Sequence, residues 1–205
     1  MKIMAIGAHS DDVEIGCGGT IARAIREGHE ATIIVVTEPA GGDRPDWHRE
    51  TLDAATVLGA DIRTLRYEQD SYILNRELIT DLSRLVRDIQ PDIVFAMWRH
   101  DTHQDHRITC KATLAASRDV KMVLTMEGAA PARLIEQMFT PRAYIRLTEK
   151  DIAIKIKAIE AHRSQADKYG AQWAEGMKAR AMVRGAETNA QYAEAFDVVW
   201  QEVGL

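Results

Sequence analysis

"KIMAIGAHSDDVEIGCGGTIARAIREG", residues 2–28, holds a complete strand–loop–helix unit. Lys2 to Ala8 form a short apolar run of the buried-strand type. Within Thr20–Gly28, Ile21, Ala24 and Ile25 return at helical spacing before Gly28 stops the run. Between the two lie His9, Asp11 and Asp12, then Gly16, Gly18 and Gly19. Adjacent carboxylates at the end of a buried strand repel, and each raises the other's proton affinity unless something positive sits beside them.

Strand and helix signals keep alternating downstream. Ala31–Thr37 is a β-branched second strand, Trp47–Leu58 reads as a helix closed by Gly59, and Ile62–Tyr67 alternates as a third strand. Leu78, Leu82, Leu85 and Ile89 share one helical face that ends before Pro91, and Asp92–Met97 is the fourth strand. This pattern predicts an α/β fold, a Rossmann-like three-layer sandwich with a mainly parallel central sheet, as one domain over residues 1–205. Beyond residue 110 the signals thin. Ile108–Ser117 continues a helix, Tyr144–Leu147 is strand-like, Asp151–His162 is helical, and Gly170–Glu187 shows no clear period.

The 205 residues are 46% apolar and 28% charged with a formal net charge of −5, the profile of a globular chain without a polyanionic partner such as nucleic acid. No apolar run approaches the ~20 residues of a membrane span, and "MKIMAIGAH" reaches a histidine too soon for a signal peptide. The expected compartment is the cytoplasm. Cys17 and Cys110 form neither a disulfide framework nor a CxxC pair and are expected as reduced thiols.

Functional residues of an open parallel sheet gather beyond the carboxyl ends of its strands. His9, Asp11 and Asp12 follow the first strand, and "WRHDTHQDHR" (Trp98–Arg107) follows the fourth, so both His/Asp clusters fall on the same edge. Core packing does not require that coincidence. Taken singly, each residue has a plainer reading: histidine as a half-buried hydrogen-bonding group, Asp11 as a helix N-cap. The joint HxDD and HxDH pattern is more specific, and a divalent cation explains it, since zinc takes His and Asp and needs three protein ligands beside an open position. The glycines do not complete GxGxxG and are better explained by close packing of the helix on the sheet, and Cys17 is read as a small buried residue.

"AHSDDVE" (8–14) and "HDTHQDHR" (100–107) resemble the LmbE-like, or PIG-L-like, family of zinc-dependent N-deacetylases, with their AHPDD and HxDH motifs. The chain is also similar to that family in "REGHEATIIVVT" (26–37), "RETLDAATVLGA" (49–60), "PDIVFAMWRHDTHQDHR" (91–107) and "KIKAIEAHRSQ" (155–165). The resemblance implies zinc, one per chain, or another divalent metal, on His9, Asp12 and His106. It implies Asp11 as general base and His103 as the histidine that stabilises the oxyanion and protonates the leaving amine. Arg49 and Asp101 are candidates for contacts to substrate or ligands. Ser10 stands where the family has proline, which affects the turn and removes no ligand.

The implied substrate is an N-acetylated amino sugar of GlcNAc type, and the implied assembly a homo-oligomer, trimer or hexamer. Two other readings use the same residues: a metal-dependent phosphoester hydrolase, and a metal-containing binding protein without turnover. Residues 38–47 are expected to border the pocket, with Trp47 and Trp98 near its mouth as candidates for stacking on a sugar.

Overall fold

The computed structural model describes residues 1–39, 46–128 and 137–203. Five parallel strands form one body of sheet: β1 (Lys2–Gly7), β2 (Glu30–Glu38), β3 (Asp61–Glu68), β4 (Ile93–Ala96) and β5 (Met122–Met126). β6 (Ala143–Leu147) and β7 (Tyr192–Gln201) extend it antiparallel, in the order β3-β2-β1-β4-β5-β7-β6. Seven helices accompany them: α1 (Asp12–Arg26), α2 (Trp47–Leu58), α3 (Arg76–Ile89), α4 (Gln104–Ala116), α5 (Glu149–Ala161), α6 (Arg163–Tyr169) and α7 (Gln172–Ala186).

Period-2 alternation divides the core between the two faces of the sheet. Ile3 and Ala5 of β1 pack with α1, α2 and α5 through Val13, Ile21, Leu58 and Ala158, whereas Met4 and Ile6 pack with α3 and α4 through Leu78, Leu82 and Ala112. The three-layer α/β expectation therefore holds. β1 is central and buried on both faces, which is why its sequence reads as a continuous apolar run.

Helix α1 departs from expectation by beginning at Asp12 rather than Thr20, with a bend at Cys17 (φ −146°, ψ 19°). A Cβ on Gly16 would meet Met126 of β5 at 2.8 Å, and one on Gly19 would meet Leu147 at 2.5 Å, so these glycines let the helix lie close on the sheet. The bend frees backbone donors. Glu194 of β7 accepts the N–H groups of Gly19 (3.0 Å) and Thr20 (2.7 Å), together with the Thr20 hydroxyl. Lys155 of α5 balances that carboxylate and also donates to the Ile15 carbonyl, all of them buried.

The late elements are those the sequence hid. Neither β5 nor the ten-residue β7 is among the strands expected from the sequence, and α7 occupies the segment without a clear period. β7 carries Glu194 and Asp197 in its buried stretch, which breaks the apolar pattern; Glu194 is met by α1 and by Lys155 of α5, and Asp197 by Arg142. Among the described residues no helix is long and apolar enough to cross a membrane, and both cysteines are free and buried.

Candidate metal centre and its cleft

The strand order reverses direction between β1 and β4, so a crevice opens past the carboxyl ends of these neighbours. The end of β1 is pinned there: the Ala8 carbonyl accepts both the N–H (3.0 Å) and the hydroxyl (2.7 Å) of Thr37. The following turn is braced by Asp12, whose Oδ2 accepts the His9 N–H at 2.8 Å. Asp11 occupies the N-cap position of α1, yet its side chain makes no capping bond, so the plain capping reading does not describe it. After β4 the chain turns into α4, with His103 as N-cap, its Nδ1 accepting the Asp105 N–H at 3.2 Å.

These two turns bring the HxDD and HxDH histidines together. His9 Nδ1 lies 3.2 Å from His106 Nε2. Asp12 reaches both, Oδ1 at 3.2 Å from His106 Nε2 and Oδ2 at 3.5 Å from His9 Nδ1. His103 stacks on His106, ring centroids 4.8 Å apart, and ligand atoms of His9, His103 and His106 all fall within 4.8 Å of one another.

Behind each inner histidine stands a buried carboxylate. His9 Nε2 is 3.2 Å from Asp105 Oδ2, and His106 Nδ1 is 2.9 Å from Asp101 Oδ2, an ion-pair distance whose angle falls short of a regular hydrogen bond. Carboxylates so placed draw the imidazole N–H outward and turn the opposite ring nitrogen's lone pair inward. With those tautomers the inward atoms, two imidazole nitrogens and Asp12, are acceptors crowded at 3.2–3.5 Å, an arrangement that a divalent cation would satisfy and that imidazolium protons satisfy without one. Donors of a tetrahedral zinc at about 2.0–2.2 Å lie roughly 3.3–3.6 Å from one another, so the donor set and its spacing fit a divalent ion.

The electrostatics separate the two adjacent aspartates. Burial and the Asp12 charge push the Asp11 carboxyl up to about 6, while His9 and the buried His162 oppose them. Burial alone would also raise Asp12, but His106 and His9 hold it well below the usual carboxylate range. Burial would lower His9 and His106, yet with no metal bound their carboxylate partners raise them to about 9 and about 10. His103 moves the other way, lowered by burial and by the neighbouring histidines. Its Nδ1 is committed as an acceptor, so the neutral ring carries its proton on Nε2.

His9, Ser10, Asp11, Asp12, His103 and His106 line a cleft of about 660 Å³. Asp101 lines it too. Arg49 does not: it is exposed on the first turn of α2, while the next residue, Glu50, is the one that turns inward and accepts the N–H (2.9 Å) and hydroxyl (2.7 Å) of Ser164. Of segment 38–47, residues 40–45 lie outside the described residues, and Pro39 and Trp47 on either side line the cleft. Trp98 is only 4% exposed and packs edge-on against Phe139, so it is core. Two contributions escaped the sequence reading. Asp105 stands inside the HxDH motif, its place between the two histidines being the available signal, and Gln165, Lys168, Tyr169 and Trp173 arrive from the late helices.

A family model described as PIG-L, GlcNAc-PI de-N-acetylase, matches residues 4–117, more than half of the chain. An uncharacterized deacetylase of Escherichia coli, YaiS, is 29% identical over 171 residues, covering 79% of this chain and 90% of the relative. The N,N'-diacetylchitobiose deacetylase of Pyrococcus horikoshii shares the fold with a TM-score of 0.81 at 24% identity, over 97% of this chain and 83% of that one. GalB, the 4-carboxy-2-hydroxymuconate hydratase of Pseudomonas putida KT2440, shares it with a TM-score of 0.85 at 18% identity, over 100% and 98%. The fold thus carries more than one chemistry, and membership rests on the family match, whose span contains both motifs and every inward donor of the centre. This chain belongs to the PIG-L family of de-N-acetylases.

Proposed function

We propose that the protein is a zinc-dependent hydrolase that removes the acetyl group from an N-acetylated amino sugar of GlcNAc type. The observation that carries this reading is the convergence of His9, Asp12 and His106 at 3.2–3.5 Å beside Asp11, in a chain of a deacetylase family. Asp12 is the preferred third ligand because it approaches both inner histidines, whereas His103 has its Nδ1 committed to a backbone N–H. When bound, a zinc ion supplies Lewis acidity and brings the pKa of a water toward about 7.

The chain's own residues do the rest. Asp11, free of hydrogen bonds to the turn, accepts the proton of the attacking water as its oxygen adds to the amide carbon. The neutral His103 lines the same cleft, and its Nε2–H, 3.9 Å from the Asp70 carboxylate, is the donor assigned to the oxyanion, a contribution of about 3 kcal/mol for a well-placed donor. The C–N bond then breaks, the amine nitrogen takes the proton, and acetate leaves. Asp101 and Asp105 hold the inner histidines in one tautomer and orientation.

Incubation of metal-loaded protein with N-acetylated amino sugars, reading free amine and acetate together, tests this. Equal release of both, lost with a chelator and restored by zinc, is the expected result. Protein that holds its metal and releases neither product would overturn it.

A two-metal phosphoester hydrolase is the second reading, favoured by a neighbouring group, Asp70, His103 and Asp105, that could hold another ion. Two metals per chain with phosphate release would select it, and one metal per chain removes it.

A further inference from the structure

Helix α6 buries none of its seven residues, yet Gln165, Lys168 and Tyr169 from it line the cleft. The helix is anchored at its start by Ser164 on Glu50 and Arg163 on Asp53 of α2, which leaves its later residues to the cleft. Trp173, from the start of α7, completes the same wall and rests on Ile15 and Met177. Tyr169 leaves 44% of its surface exposed, and its ring centroid is 5.7 Å from that of Trp173 at a tilt of 42°, an angled aromatic shelf rather than a closed stack. The Lys168 ammonium lies 4.7 Å from the Tyr169 centroid. Aromatic faces with polar groups at their edges suit a ligand that is apolar on its faces and hydroxylated at its rim, as a pyranose is. The cleft volume of about 660 Å³ also exceeds what one sugar ring needs beside the His/Asp centre.

We propose that Trp173 and Tyr169, with Gln165 and Lys168 at their edges, form a second subsite that stacks the sugar ring attached to the N-acetylated one, so that the substrate is a disaccharide or longer glycoside. This deepens the deacetylase reading and rests on it for the position of the reacting ring.

The test is calorimetric titration of metal-loaded Asp11→Asn protein, in which turnover is expected to be slowed at least about 100-fold, with N-acetylglucosamine and with N,N'-diacetylchitobiose. The disaccharide is expected to bind about tenfold more tightly. Trp173→Ala, added to that background, should abolish the preference while leaving the monosaccharide within twofold, and Trp173→Phe should keep most of it. Tyr169→Ala, at an exposed position, should weaken the disaccharide alone. Equal affinities in the parent, equal weakening of both ligands by Trp173→Ala, or no binding of either sugar would each overturn the subsite. Failure of the deacetylase reading shows separately, as disaccharide binding that depends on Trp173 without acetate release by the wild type.

Discussion

His9 Nδ1 and His106 Nε2 lie 3.2 Å apart although 97 residues separate them, and each ring has a buried carboxylate on its far side. Two inward-facing nitrogens beside Asp12 are the proposed donor set for a shared divalent cation. His106→Ala or Asp12→Ala should therefore lose metal through dialysis that leaves about one zinc per wild-type chain, the three-ligand stoichiometry. Elemental analysis of the dialysed proteins checks this, and metal retained by both variants would remove the site.

The outer carboxylates should matter by orientation. Asp105→Asn and Asp101→Asn each preserve size but weaken the grip on the His9 and His106 rings, and a loss of about 10–100-fold in zinc affinity is expected for each. Competition with a chromogenic chelator measures it.

Asp11 is placed to handle a proton, whereas Asp12 is engaged by the two histidines. Asp11→Asn should keep the metal and lose about 10²–10⁴-fold in turnover. A variant with full metal and full acetate release would show that another group is the base.

Glu194 and Lys155 form a buried pair on which the bend of α1 depends. Glu194→Gln leaves the Lys155 ammonium buried without its counter-charge, at an expected cost of about 3–5 kcal/mol in urea unfolding. The double variant Glu194→Gln, Lys155→Met should recover part of that loss, because it removes the stranded charge.

Acid stability should depend in part on Asp151, which is inaccessible to solvent and whose carboxylate accepts the N–H of Thr148, the N-cap of α5, in a capping box. Burial acts to raise its carboxyl, but hydrogen bonds from Arg26 and Thr148 hold it below its ordinary value. A carboxyl depressed in the folded state contributes stability above its unfolded pKa of about 3.9, and that contribution fades as pH falls through the folded value. Asp151→Asn should be less stable at neutral pH and should lose less stability than wild type between about pH 6 and pH 3. Parallel slopes for the two proteins would exclude Asp151 as a source of acid sensitivity.

The sequence by itself determined the alternation of strand and helix through Ala116, the central place of the apolar β1 run, and the meeting of His9, Asp11, Asp12, His103 and His106 on one edge. Those features rest on periodicities of two and 3.6 residues and on the rule that parallel strands present their carboxyl ends together, both encoded within a few neighbouring residues. Tertiary structure alone decided the rest. The start of α1 at Asp12 depends on Glu194, 175 residues beyond Gly19, accepting the donors that a glycine-rich bend leaves open. β7 is a strand despite its buried acids because Lys155 and Arg142 approach them from other elements. Asp105 could be seen in the motif, but not that His9 would lie against it. The aromatic wall of α6 and α7 has no period to read, because its residues are divided between cleft and core, and what they face is set by how distant segments pack.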